Sequence, residues 1–285
     1  MTADNLYIRN RSTGQFIYTA RGVGMVLGGL LVGACLLGTP ALAQQPAPDP
    51  VWFGQEAAIE ELLRHGEVVA SKELGEGITR PLKVTLLHEG RQLDAIWKPL
   101  GRFNPASLER YEAEVAAYRL SRYLGLDMVP PTVPRRIGNR LGSVQMWVHG
   151  YKQAAKVEGT PQSQELGDWT RAVARMRFFD ELIDNPDRHA ANYLVDDTWN
   201  VVLIDHSRAL YFDNRGPMRQ AEPPNRFDRS LVDRTRELDM PELQALLGDL
   251  FSKSELRNVL HRRNVLLAHV DDVVSARGEL AFYEP

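Results

Sequence analysis

The sequence predicts an α+β fold of two lobes with a cleft between them. Three observations carry this. Residues 67–98 hold three short apolar runs punctuated by glycine-rich turns at hairpin spacing. One helical stretch and two more strand-like runs follow. The chain is then mainly helical to its end, apart from one short hairpin between residues 193 and 204. A sheet with one helix, followed by a helical half, encodes an N-terminal and a C-terminal lobe. The junction between such lobes is an ordinary place for a ligand.

The first 43 residues do not belong to that fold. Arg9, Arg11 and Arg21 precede the apolar run GVGMVLGGLLVGACLLG and then TPALAQQ. A basic segment, an apolar segment and the small-residue site Ala41-Leu42-Ala43 make a secretory signal peptide over 1–43, cut before Gln44. The long basic segment leaves an uncleaved membrane anchor as the alternative. Cys35, in Val-Gly-Ala-Cys, weakly resembles a lipoprotein processing site, but the apolar run continues past it. The expected location is therefore exported, periplasmic or secreted, with no stable membrane association after cleavage. The whole chain carries 34 basic and 37 acidic residues, net −3. Cleavage leaves 31 and 36. This mild acidity, with no Lys/Arg block, argues against a nucleic-acid partner. Cys35 is the only cysteine, so the mature chain must fold on its core alone, without disulfides.

Residues 44–53, which include QQPAPDP, read as a stiff polar linker. The first lobe is expected over 54–148 and the second over 149–285. Ala57 to His65 forms a short helix. EVVASKEL runs to Gly75-Glu76-Gly77, PLKVTLL to Glu89-Gly90, and LDAIW into Lys98-Pro99. A helix is expected from Asn104 as N-cap, with Pro105 at its first position, to Gly125. VPPTVPRRIGNRLGSVQMWVHG gives two strands around an Asn139-Arg140 turn, and its end, Val144 to Val148, leads into the connection between lobes. PELQALLGDLF and KSELRNVLHRRNVLLAHVDDVV are amphipathic helices of the second lobe.

Chemistry concentrates in FFDELIDNPDRHAANYLVDDTWNVVLIDHSRAL, residues 178–210. Tyr193 to Val195 and Val201 to Ile204 pair antiparallel if their loop centres on Thr198. That register sets Asn192 opposite Ile204, next to Asp205. An amide oxygen beside a carboxylate suits a hard divalent cation. Asp187, five residues before Asn192, reaches the same spot as a base. A base, with Asn and Asp holding Mg²⁺ or Mn²⁺ against phosphates, is what phosphoryl transfer needs. The bland alternative is an Asp/Arg/His turn locked by its own ion pairs. A third reading makes His189, Asp205 and His206 ligands of a hydrolytic metal.

The first lobe should supply a lysine and an acid to orient it. Lys98 closes the run Ala95-Ile96-Trp97. Of Glu109, Glu112 and Glu114, the helical period puts Glu109 on one face with Ala113, Ala116 and Leu120. Glu114 falls near Arg110, where an i−4 ion pair is its natural role. Glu109 is the expected partner of Lys98. Gly75 and Gly77 place backbone N–H groups where they could cover phosphates, an arrangement that an ordinary turn also fits.

Two stretches resemble a known family. LERYEAEVAAYRLSRYLGLDMVPPTV, residues 108–133, is similar to the matching segment of the secretory-pathway kinases: the Golgi casein kinase, the proteoglycan xylose kinase and the four-jointed kinase. DNPDRHAANYLVDDTWNVVLIDHSRAL resembles their catalytic and metal-binding segments, and also the Asp-Arg-His-x-x-Asn and Ile-Asp elements of phosphatidylinositol kinases. The resemblance implies a two-lobed atypical protein-kinase-like fold. It implies ATP and Mg²⁺ or Mn²⁺ as cofactors, and transfer of the γ-phosphoryl group to a protein Ser/Thr or a glycan sugar hydroxyl. By position, Lys98 becomes the phosphate-binding lysine, and Glu109 the helix glutamate that also helps hold metal. Asp187 becomes the base and Asp205 the metal aspartate. Asn192 follows the phosphatidylinositol-kinase pattern, and His206-Ser207 stands where Asn-Gly or Phe-Gly is more usual. A nucleotide-binding pseudokinase scaffold and a lipid kinase are the other functions the pattern allows.

Overall fold

A computed structural model of the chain describes residues 50–75, 80–101, 108–163, 165–211 and 223–283, with a two-residue ladder pairing Ile8–Arg9 with Phe16–Ile17. The signal-peptide region, Gly77, Asn104 and Pro105 lie outside these residues, apart from that ladder. Among the described residues, no helix is long and apolar enough to cross a membrane.

Helix α1 (Glu56–His65) is followed by strands β1 (Glu67–Glu73), β2 (Leu82–His88) and β3 (Arg91–Lys98). Helix α2 spans Tyr111–Tyr123, and strands β4 (Thr132–Ile137) and β5 (Arg140–Met146) complete the lobe. The five strands form one antiparallel sheet in the order β1-β2-β3-β5-β4. Alternation decides its faces. Val84, Leu86, Ala95, Trp97, Val133 and Val144 form an apolar layer with Leu62 and Leu63 of α1. Lys98 points the other way, because it alternates with Trp97.

The second lobe holds β6 (Lys152–Gln153), α3 (Leu166–Leu182), β7 (Tyr193–Val195) and β8 (Val201–Leu203). Helices α4 (Arg229–Glu237), α5 (Met240–Leu247) and α6 (Lys253–Arg277) finish it. Ser252 and Glu255 form a reciprocal capping box that starts α6 where the sequence turns amphipathic. The β7–β8 register pairs Val195 with Val201 and Tyr193 with Leu203, the pairing centred on Thr198. Asp196 makes the turn, accepting from the Thr198 and Asn200 N–H groups at 2.9 Å each. Val195, Val201 and Leu203 face the core of this lobe.

Two expectations need correction. Helix α2 begins at Tyr111 rather than near Asn104, since Arg110 is extended (φ −152°, ψ 145°) and Leu108 is left-handed (φ 58°). The folded unit also starts before Gly54. Trp52, assigned to the linker, is 2% exposed and packs with Val148 at the crossing between lobes and Val202 of the hairpin. Removing a ring that fills an interlobe junction leaves a cavity. Trp52→Ala should cost about 3–5 kcal/mol in a urea unfolding experiment; a loss under about 1 kcal/mol would mean the ring is dispensable.

Candidate active site

The cleft is organised by one lysine. Lys98 Nζ lies 2.5 Å from Glu114 Oε1 and 2.8 Å from Asp205 Oδ1. It thereby joins strand β3, helix α2 and the segment after β8. The second oxygen of Glu114 accepts the backbone N–H of His206 at 3.0 Å. One carboxylate thus orients the lysine and fixes the chain directly after Asp205. Burial alone would pull the Lys98 ammonium down, but attraction to Glu114 and Asp205 outweighs it and holds Lys98 above its ordinary value. Burial would likewise raise Glu114, yet Lys98 and the contact with His206 hold it well below the usual carboxylate range.

Glu109, the expected partner of Lys98, does not take that role. It precedes α2, so the helical period that put it beside Ala113 and Ala116 does not extend to it. The polar-face argument against Glu114 fails as well. Residues 111–118 of α2 are all buried, because the helix is enclosed on several sides, leaving no solvated face for an acid. Arg110 does not pair with Glu114; its Nη1 lies 2.9 Å from Glu255 of α6, and it also donates to the Leu210 carbonyl. Glu109 remains at the mouth of the cleft, half-buried. Burial, and then the charge of Asp205, push its carboxyl above the ordinary value, with Lys98 and Arg208 opposing.

Asp205 adopts a left-handed conformation (φ 59°) that side chains other than glycine rarely take. It is clamped from both sides. The Ile204 N–H donates to the Asn192 carbonyl at 3.2 Å, and His206 is held by Glu114. Such strain persists where its surroundings over-determine it. The predicted delivery of Asn192 and Asp205 to one end of the hairpin is what the β7–β8 register produces.

The loop before the hairpin separates support from chemistry. Arg188 binds both oxygens of Asp180, through Nε at 2.9 Å and Nη2 at 3.0 Å. It also donates to the Asn192 and Ile204 carbonyls and contacts His206 Nε2 at 2.9 Å. Asn185 donates to Asp180 at 2.8 Å and accepts the Asp187 N–H at 3.2 Å. Asn192 Nδ2 donates to the Asp187 carbonyl at 2.8 Å, which leaves its Oδ1 as an acceptor. The ion-pair lock of the bland reading therefore exists, but Arg188 and Asp180 form it. The Asp187 carboxylate stands clear, partly exposed, with Arg208 Nη1 at 3.2 Å. Asp180 and Asn185 were missed in the sequence. The signal was an acid inside Phe178-Phe179-Asp180-Glu181-Leu182, a run that is wholly buried.

The third reading fails on geometry. His206 is fully buried against Arg188, and the exposed His189 accepts from the Ala191 N–H. Among the described residues no three His, Cys, Asp or Glu side chains are grouped to hold a metal by themselves. What the cleft does offer is oxygen alone: the Asp205 carboxylate, the Asn192 amide oxygen and Glu109. That set fits Mg²⁺ or Mn²⁺, which bind through one or two carboxylates and complete their shell with phosphate oxygens and water. Gly75, two residues after β1, is left-handed (φ 67°), and the Leu74 N–H donates to the Pro81 carbonyl at 3.2 Å.

No protein-family model and no curated protein matches the sequence. Solved structures do. The Golgi casein kinase matches at a TM-score of 0.58 and 16% identity, over 79% of this chain and 77% of that one. The Golgi casein kinase with Mn/ADP bound matches at 0.57 and 16%, over 81% and 80%. Hydra Fam20 with sugar matches at 0.55 and 14%, over 79% and 91%. The fold is therefore the two-lobed atypical kinase fold of these proteins.

Two outcomes test the site. Glu114→Gln removes one partner of a buried ion pair and should cost about 3 kcal/mol in urea unfolding; Glu109→Gln, at a half-buried acid outside that pair, should cost under about 1 kcal/mol. Equal losses would refute the assignment. His206 is held below its ordinary value by burial and then by Arg188, against the pull of Glu114. The unfolded chain then binds more protons than the fold as pH drops below about 6.5, so stability falls over that window. His206→Gln should flatten the acid limb of the melting-temperature profile; an unchanged limb would place the acid sensitivity elsewhere.

Proposed function

We propose that the protein is an exported kinase that transfers the terminal phosphoryl group of ATP to a hydroxyl, either a Ser/Thr of a secreted protein or a sugar hydroxyl of a glycan. The observation that carries this reading is Lys98 held between Glu114 from one lobe and Asp205 from the other, with Asp187 open on the same cleft. The fold shared with an Mn/ADP-bound kinase and with a sugar-bound relative supports it.

Each residue has a task in that reaction. Lys98, oriented by Glu114, binds the nucleotide phosphates. Asp205, Asn192 and Glu109 would hold Mg²⁺ or Mn²⁺, which when bound neutralises phosphate charge. Asp187 accepts the proton of the acceptor hydroxyl as its oxygen bonds to phosphorus. The bond from phosphorus to the bridging oxygen breaks, and its electron pair leaves with the diphosphate. Arg188 and Asp180 keep the loop that carries Asp187 in place and touch no substrate.

The test is thermal. ADP with Mn²⁺ should raise the melting temperature of the wild type, by about 2.7 kcal/mol of stabilisation at a hundredfold excess over Kd. Asp205→Asn should abolish the rise. Asp187→Asn should keep it while losing phosphoryl transfer from ATP. A wild type that gains nothing from ADP with either metal would leave a scaffold that binds no nucleotide.

A further inference from the structure

Two arginines flank the base, and the structure separates them. Arg188 spends its donors on Asp180, two backbone carbonyls and His206, and is almost wholly enclosed. Arg208 differs in each respect. Its side chain is 40% exposed and touches Asp187 through a single nitrogen at 3.2 Å. Its Nε is buried and has no hydrogen-bond partner among the described residues. A guanidinium has five N–H donors in a rigid fork, so most of the recognition capacity of Arg208 is unspent.

Its place in the chain is equally specific. Arg208 lies three residues after Asp205, in a turn closed by the Ala209 N–H on the His206 carbonyl at 2.9 Å. That turn is tethered to α2 by the Arg110 N–H, which donates to the Ser207 carbonyl at 3.0 Å. The turn carries the side chain from the metal carboxylate across to the base, with Glu109 near enough to feel its charge. A phosphoryl group moving from a nucleotide held at Lys98 and Asp205 to a hydroxyl held at Asp187 passes between the two points that Arg208 spans.

We propose that Arg208 is a catalytic residue that binds the oxygens of the phosphoryl group in transit. The assignment rests on the kinase reading. Charge spreads over the three equatorial oxygens during transfer, and a forked cation fixed beside them stabilises that charge without reorganising. The contact with Asp187 keeps the fork in place before the substrate arrives. Its single bond leaves the second oxygen of Asp187 available for the acceptor proton.

Aluminium fluoride added to ADP and Mn²⁺ serves as the probe, standing in for the phosphoryl group in transit. Wild-type protein should gain a second rise in melting temperature beyond that with ADP and Mn²⁺. Arg208→Ala should keep the first rise and lose the second. ATP turnover should fall about 10²–10³-fold with the nucleotide KM unchanged. Asp187→Asn should retain the second rise, which a role for Arg208 limited to holding Asp187 would not allow. Arg208→Gln, closer in volume, repeats the test if the alanine variant melts early without ligand. Equal second rises in wild type and Arg208→Ala, or no second rise in the wild type, would overturn the proposal. Absence of the first rise in the wild type would instead remove the kinase reading and this assignment with it.

Discussion

The site depends on one carboxylate. Glu114 gives one oxygen to Lys98 and the other to the His206 N–H. Removing it from water is expensive, and only full hydrogen bonding on both oxygens makes the burial tolerable. The consequence is geometric. A strand, a helix and the left-handed turn at Asp205 share one small ionic centre, so none of the three moves without exposing a buried charge. Asp205 can hold a strained backbone because its neighbour is fixed by the same group that fixes the lysine.

The second lobe applies the same logic to a different task. Arg188, Asp180 and Asn185 consume one another's hydrogen-bonding capacity and leave the loop rigid. That rigidity frees the Asp187 carboxylate from structural duty. A carboxylate that also holds the fold together is a poor proton acceptor, because protonation would loosen the loop. The supporting cation and the open carboxylate therefore fall on neighbouring residues, Arg188 and Asp187.

Much of this was legible in the sequence where a local rule decides the outcome. The hairpin register followed from a loop centred on Thr198, and that register alone brings Asn192 to Asp205. The strands of the first lobe followed from glycine-punctuated apolar runs. Choices that depend on distant packing were not legible. Glu109 looked inward because α2 was taken to have an early start and a solvated face near Glu114; the helix starts at Tyr111 and residues 111–118 are all buried. The run Ala113-Glu114-Val115-Ala116-Ala117 carried the contrary signal, since small residues on every side of an acid mark helical turns enclosed on several sides. Trp52 followed a proline-rich segment and read as linker, but the pocket that receives it is made by Val148 and Val202, far along the chain.

A chain with no cysteine after residue 35 must couple its lobes by other means. Helix α2 provides the coupling. Ala113, Ala116, Ala117 and Leu120 pack within the apolar core of the second lobe, although the sequence places them among the strands of the first. Arg119 reaches Asp249 at 2.6 Å and Arg110 reaches Glu255 at 2.9 Å, adding polar ties to α6 and the segment before it. Lys98, by contrast, belongs to the sheet. Lys98 on the sheet and Asp205 after the hairpin are thus joined through Glu114, which sits on the helix that packs against both lobes. The junction of the lobes and the burial of the lysine therefore rest on the same ionic contacts.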